Sequence, residues 1–355
     1  MKTVCKVNEC SGCGLCKEKC SMGAISIDDS LDAYNAVINE DICVECKLCK
    51  NICPNNINVK FKKTIQWYQG WAKNKQIRAN STSGGVAAAI SRSFVKKFNG
   101  AICSCVYENG RFVYKIAETL ADLDRYAGSK YVKSDLQGSY KIIGEKLKQG
   151  QRVLFIGLPC QVAAIRNYVG DENGDLLYLV DLICHGSPSP KLLKVYLYEQ
   201  QQDITVIEDI KFRQKNNYKL FVKKTDEKKY ISIESKAVQD LYSFAYQKSL
   251  INTESCYNCK YAKLERVSDI TLGDSWGSSL ADAEKRKGIS LIMCQTDKGH
   301  ELVLGADINL QRVEVKKAIM ANSQLSSPER MPKNRPLFFQ AINKTGSFKA
   351  GIFLA

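Results

Sequence analysis

The chain has 355 residues, an ordinary apolar content of 45%, and 16 cysteines against two histidines, His185 and His300. That length allows two or three domains with real cores. It contains no apolar run near the roughly 18 residues of a membrane span, no apolar stretch of a secretory signal behind Met1, and too little histidine for a His-rich metal site.

Residues 1–60 carry a doubled pattern. Cys10-x2-Cys13-x2-Cys16-x3-Cys20 is repeated at the same spacing as Cys43-x2-Cys46-x2-Cys49-x3-Cys53, followed by Pro54. This is the bacterial ferredoxin run for two 4Fe–4S clusters, in which each fourth cysteine serves the other cluster. Cys10, Cys13, Cys16 and Cys53 are therefore expected to hold one cluster, and Cys20, Cys43, Cys46 and Cys49 the other. A zinc-binding double knuckle is the alternative, since all-cysteine sites suit both metals. Ser21 replaces the usual proline of the first run, and Cys5 falls outside the pattern as a spare thiol. Ala24–Ile27 and Ala36–Ile38, around a polar stretch, predict a small hairpin joining the halves.

Residues 61–80, Lys-rich with Trp67 and Trp71, read as a connector. Ser81-Thr82-Ser83-Gly84-Gly85 then opens a helix from Val86. Such a start can bind phosphate through free amides, or begin a helix with no ligand. Gly100–Tyr107 and Arg111–Ile116 flank Glu108-Asn109-Gly110, a hairpin signal. Cys103 and Cys105, on one face of the first strand, read as packing residues. Gly128–Ser134 sets Lys130 near an anion or in a surface turn.

From residue 139 the pattern alternates. Helix Ser139–Lys148, strand Arg152–Ile156, helix Gln161–Tyr168 and strand Leu176–Ile183 predict a parallel α/β unit. Cys160 and Cys184 each follow a strand. If those strands are neighbours, both thiols face the sheet edge where open α/β sheets keep their ligands. Cys256-x2-Cys259 comes later. Together the four suit a third 4Fe–4S cluster, a structural zinc or a thiol–disulfide centre. Spacing does not choose among these, although two clusters upstream favour iron. Cys294 reads as a buried strand residue. His185 either exchanges a proton or makes a structural hydrogen bond.

The charge is +15, yet residues 1–60 hold 7 Lys, no Arg and 8 acidic residues. The basic body favours anionic partners such as a phosphorylated cofactor or an acidic electron carrier, ferredoxin or flavodoxin; the plainer alternative is a solvated Lys-rich surface. The positive residues are scattered without a recognition motif, so nucleic acid is not expected. Sixteen cysteines without a secretory signal point to the cytoplasm and to metal or redox work.

In order, STSGG (81–85), GSKYVKS (128–134), GLPCQVAAIRNYVG (157–170), DLICHGSPSP (181–190) and SCYNCKYAKLERVSDITLGDSWG (255–277) resemble the coenzyme F420 hydrogenase/dehydrogenase beta-subunit family, fused behind a ferredoxin-like domain. The resemblance implies a mixed fold, α+β and α/β, with a dicluster ferredoxin-like domain (1–60), a flavin-binding segment (61–145), a C-terminal segment with the extra cysteine site (146–310), and a tail (311–355). It implies FAD bound without a Rossmann fingerprint. Ser83, Gly84 and Gly85 would lie at its phosphates. Lys130, Gln161 and His185 would surround its ring, with His185 and Lys130 as catalytic candidates. Asp274 and Trp276 would support the wall. The expected function is an iron–sulfur flavoprotein oxidoreductase passing electrons between clusters and an unknown organic acceptor. The alternatives are a non-catalytic wiring subunit, a ferredoxin-dependent thiol–disulfide reductase using Cys256 and Cys259, and an oxygen-sensing regulator. Homo-oligomer and complex subunit both stay open.

Overall fold

The computed structural model describes residues 1–234 and 238–355. Its strands are β1 (Ile25–Asp29), β2 (Tyr34–Ile38), β3 (Gln66–Ala72), β4 (Ala101–Glu108), β5 (Arg111–Ala117), β6 (Val153–Gly157), β7 (Leu177–Leu182), β8 (Ile207–Gln214), β9 (Asn217–Lys224), β10 (Ile231–Ser232), β11 (Ile270–Asp274), β12 (Ser290–Cys294) and β13 (Ile308–Arg312). They form an N-terminal hairpin, a three-stranded sheet in the order β10-β9-β8, and an eight-stranded sheet in the order β13-β3-β12-β11-β7-β6-β4-β5. Its centre, β11-β7-β6-β4, is parallel, and the flanking pairs are antiparallel.

Parallel strands are buried on both faces and so read as continuous apolar runs. All five residues of β6 are buried, and alternate ones enter different cores. Leu154 and Ile156 pack with Ile90 and Phe94 of the Val86–Phe98 helix on one face. Val153 and Phe155 pack with Tyr140, Ile143 and Val162 of the Ser139–Lys148 and Pro159–Val169 helices on the other. Cys13 and Leu15 of the N-terminal domain join this second core, and the Tyr140 hydroxyl donates to the Cys13 carbonyl at 2.7 Å. The N-terminal domain is thus seated on the sheet's helical layer.

Two stretches differ from their sequence reading. Residues 66–72 are no connector. They form β3, paired with β12 and β13 from much later in the chain. The strand's Gln-Trp-Tyr-Gln-Gly-Trp-Ala has no clean alternation, and its partners supply no local signal. The tail after 310 folds into helices that bury Phe338, Phe339, Ile342 and Phe348 beside Tyr196 and Tyr242, beneath the three-stranded sheet. Each such ring contributes about 1.5–3 kcal/mol through burial. Arg335, only 4% exposed, donates to the carbonyls of Asp32 (2.7 Å) and Asn252 (2.9 Å). It clasps the N-terminal hairpin to the loop before Cys256. Among the described residues no helix is long and apolar enough to cross a membrane.

Candidate functional site

The two ferredoxin-type runs follow one backbone path. φ is positive at Gly12 and Gly14 and again at Glu45 and Lys47, the equivalent places in the second run. The second run accepts about 1–2 kcal/mol per residue for side chains in this region, so wrapping three cysteines around a common centre outweighs local preference. Cys16 lies close enough to Cys13 and Cys53 to be held up in pKa by them, after burial as the main cause; Cys49 is held up by burial and then by Cys20, Cys43 and Cys46. Cys5 neighbours Cys10 and Cys53. The fourth cysteine of each run therefore stands with the other run's three. A small cavity of about 30 Å³ is bordered by Cys20, Cys43, Cys46 and Cys49. Amide groups point at the sulfurs: Gly12 at Cys10 (3.4 Å) and Ala24 at Cys20 (3.3 Å).

A third group gathers from distant parts of the chain. Because β6 and β7 are adjacent and parallel, Cys160 and Cys184 reach the same sheet edge. The Cys256–Cys259 loop folds onto them. Burial, then Cys256, Cys160 and Cys259, push the Cys184 thiol up to about 12; burial, then Cys160 and Cys256, push Cys259 up to about 11. The Gly186 amide points at Cys184 (3.4 Å), and Thr253 Oγ1 lies 3.4 Å from Cys256 Sγ. Lys133 is 6% exposed, and its Nζ lies 3.8 Å from Cys160 Sγ. Burial alone would lower its pKa; Cys160, Cys256, Cys184 and Cys13 outweigh burial and hold it above the ordinary lysine value. The third group thus adjoins the first through Cys13.

Beside it lies a cavity of about 530 Å³, at the carboxyl ends of the parallel strands, where open α/β sheets bind ligands. Gly157, Cys184, His185 and Asp274 border it from three of these strand ends. The first turn of the Val86–Phe98 helix borders it too, with amides that find no acceptor inside the helix. The motifs interlock around it: Ser129 N donates to Thr82 Oγ1 (2.9 Å), and Gln161 Nε2 to the Ser134 carbonyl (3.1 Å).

Residues 150–319 match the family described as coenzyme F420 hydrogenase/dehydrogenase, C terminus of the beta subunit, and residues 9–57 match a 4Fe-4S dicluster domain. The chain thus carries the C-terminal domain of that beta subunit behind a 4Fe-4S dicluster domain, and it resembles the coenzyme F420 hydrogenase/dehydrogenase beta subunits. It is similar to the F subunit of the F(420)H(2) dehydrogenase of Methanosarcina mazei, 20% identical over 97% of this chain and 95% of that one. Its fold resembles a chain of the F420-reducing [NiFe] hydrogenase complex from Methanosarcina barkeri, with TM-score 0.52 and 17% identity, covering 82% of this chain and 98% of that one. This beta-subunit-like chain is an iron–sulfur protein of electron transfer.

Its other expected site residues are placed unequally. Ser83, Gly85, Lys130 and His185 line the cavity. Lys130 Nζ donates to the carbonyls of Tyr126 and Ala127, each at 3.0 Å, and burial lowers its pKa. His185 is open to the cavity yet has protein mass on most sides; burial lowers its pKa despite Glu329 and Asp274. Gln161 is not brought into the cavity. It is fully buried beneath, accepting from Tyr114 Oη (2.7 Å) and Leu158 N (3.0 Å). Cys103 sits in the core, whereas Cys105 reaches the cavity wall. Gly84 is also buried below, its amide donating to Ser290 Oγ (3.1 Å). A Cβ there would meet the Gly70 carbonyl at 2.5 Å and Ser290 N at 2.7 Å, both backbone. Gly84→Ala is therefore expected to cost about 1–3 kcal/mol by overpacking, read as a lower thermal midpoint; an unchanged midpoint would show that the loop has slack.

Sequence reading missed the β8–β9 hairpin. It carries Arg213, whose guanidinium bonds both oxygens of Asp274 (2.7 and 3.1 Å) and Tyr218 Oη (3.0 Å), and lies over the Trp276 ring. It also carries Lys215, whose Nζ donates to the carbonyls of Arg78 (2.6 Å), Ser81 (2.7 Å) and Ser83 (3.3 Å). The alternation Ile207-Glu-Asp-Ile-Lys-Phe-Arg before Lys215-Asn-Asn217 was the available signal.

Proposed function

We propose that this chain is an FAD-dependent iron–sulfur oxidoreductase that carries electrons between its ferredoxin-type clusters and an organic acceptor, with a third cluster on Cys160, Cys184, Cys256 and Cys259. The observation that carries this reading is Cys184, which belongs to the third quartet and also forms part of the cavity wall. FAD, when bound, would exchange a hydride with the acceptor and pass single electrons to the clusters.

The residues fit these groups. The cavity lies within the 300–1,000 Å³ of ligand pockets. The helix start at Val86–Ala88 offers amides and a positive dipole to a pyrophosphate. The amide of Gly84 and the hydroxyl of Ser83, which donates to the Ile289 carbonyl at 2.9 Å, are already used within the fold; the phosphate role therefore passes to the helix amides. Stacked rings of Tyr131 and Tyr246, 4.5 Å apart, give the cavity a flat apolar wall. Lys130 would face anionic charge. His185, open to the cavity, would hold or take a proton.

The raised thiol pKa of Cys259 runs against the thiol-reductase reading, because exchange chemistry favours a depressed one. Four thiols gathered from distant parts of the chain are a donor set that a bound cation would deprotonate, which suits a metal quartet. The relatives named as parts of a dehydrogenase and a hydrogenase complex favour work as a complex subunit, with the exposed Cys46 end of the second quartet as the entry for electrons. An acidic carrier would be drawn by the positive body.

Anaerobically purified protein is expected to hold about twelve iron, about twelve sulfide and about one FAD per chain. About eight iron with about one zinc would return the third quartet to a structural role, and protein that binds no flavin on reconstitution would overturn the reading of the cavity.

A further inference from the structure

Lys133 stands where two quartets approach each other. It is buried, and its main-chain amide is fixed to the Pro188 carbonyl at 2.9 Å. Among the described residues no carboxylate pairs with it; its nearest polar side-chain partner is Cys160 Sγ at 3.8 Å. A buried ammonium without a carboxylate is costly unless other negative charge answers it. The surrounding groups that can supply that charge are the thiolates of Cys160, Cys256 and Cys184, with Cys13 of the first quartet at the far side. Tyr261, packed in the same core with Cys13, Cys160 and Cys259, has a buried hydroxyl with no partner. A buried ammonium beside Cys160 and a buried, unpartnered hydroxyl thus lie among the sulfurs of the two quartets.

We propose that Lys133 is the counter-charge of a cluster held by Cys160, Cys184, Cys256 and Cys259, and that it raises that cluster's potential relative to the one held by Cys10, Cys13, Cys16 and Cys53. This rests on the third quartet holding a cluster. One electron lost by the first cluster adds one negative charge to the third and makes or breaks no bond. A fixed positive charge beside the third quartet favours that transfer. Charge near the sulfurs and hydrogen bonds to them are established means of setting such potentials. Lys133 is a positioning and tuning residue; it does not line the cavity.

The test is an EPR-monitored redox titration at fixed pH on the full chain, with iron counted in each sample. The signal absent from Cys184→Ser identifies the third cluster. Lys133→Met and Lys133→Gln are expected to keep their iron and to shift the reduction equilibrium of that signal about tenfold toward the oxidised form, about 59 mV for one electron. Lys133→Arg should titrate like the parent, and the signal of the first cluster should move less. Failure of Lys133→Met and Lys133→Gln to retain the third cluster, with Lys133→Arg retaining it, would equally support the counter-charge. Full iron with unmoved potentials in all variants would overturn the role of Lys133 and leave the cluster standing. Loss of iron in all three, Lys133→Arg included, would assign the residue to packing. A parent protein with about eight iron would remove the third cluster and this proposal together.

Discussion

Cys184→Ser is expected to remove about four of about twelve irons and to slow electron transfer from reduced viologen to the flavin end by on the order of 100-fold or more, given that even outer-shell losses cost 10–100-fold. A serine hydroxyl is a poor, hard donor where soft thiolate is required. Cys184 is also the quartet member on the cavity wall, so its loss opens the path at its inner end. The ferredoxin-type signals should remain, because neither of those quartets includes it. Cys294→Ser is the control: that thiol lies fully buried in β12, outside every quartet, and iron should stay complete. Retention of all iron in Cys184→Ser, or iron loss with transfer undiminished, would refute the arrangement.

The second large effect concerns the wall. The Arg213–Asp274 pair is almost sealed, with side chains 4% and 19% exposed. Removing one partner of such a pair strands the other charge and costs about 3–5 kcal/mol. Arg213→Met is therefore expected to lower the thermal midpoint by roughly 5–10 °C. It should also weaken flavin retention, because the same guanidinium orders Tyr131 (3.2 Å), Tyr218 and Trp276. Pairing it with Asp274→Leu should restore part of the lost stability, because no lone carboxylate is then left behind. The measurements are a melting curve and flavin absorbance after gel filtration. A single variant that melts within about 1 °C of the parent would show the pair to be solvated.

What could be read beforehand divides by range. The doubled cysteine run was legible because its ligands are local; a constant offset between the two runs says which sulfurs repeat. The strands β6 and β7 were legible as apolar runs with a cysteine just past each; that they are neighbours was only a condition of the reading, which their parallel pairing meets. β3 was not legible: its hydrogen bonds go to strands far along the chain, and Trp67 and Trp71 in a Lys-rich stretch resemble a linker. The hairpin holding Arg213 and Lys215 was obscured for a different reason. Its function comes from tertiary approach to Asp274 and to the 78–83 loop, and neither leaves a mark in its own composition. Gln161 was expected at the flavin ring through the family resemblance alone. A helix turns successive side chains by about 100°, and this one points inward to Tyr114 and Ser134.

The Arg335 clasp has a consequence for biosynthesis. Its bond to Asp32 joins residues 303 apart. The amino-terminal module, whose cluster sulfurs run from Cys10 to Cys53, can acquire metal while the ribosome is still translating the rest. Its docking onto the loop around Asn252 is locked only after Arg335 has emerged. Maturation therefore has an order: the first two centres can load early, and the join to the loop before Cys256 is finished by a segment made much later.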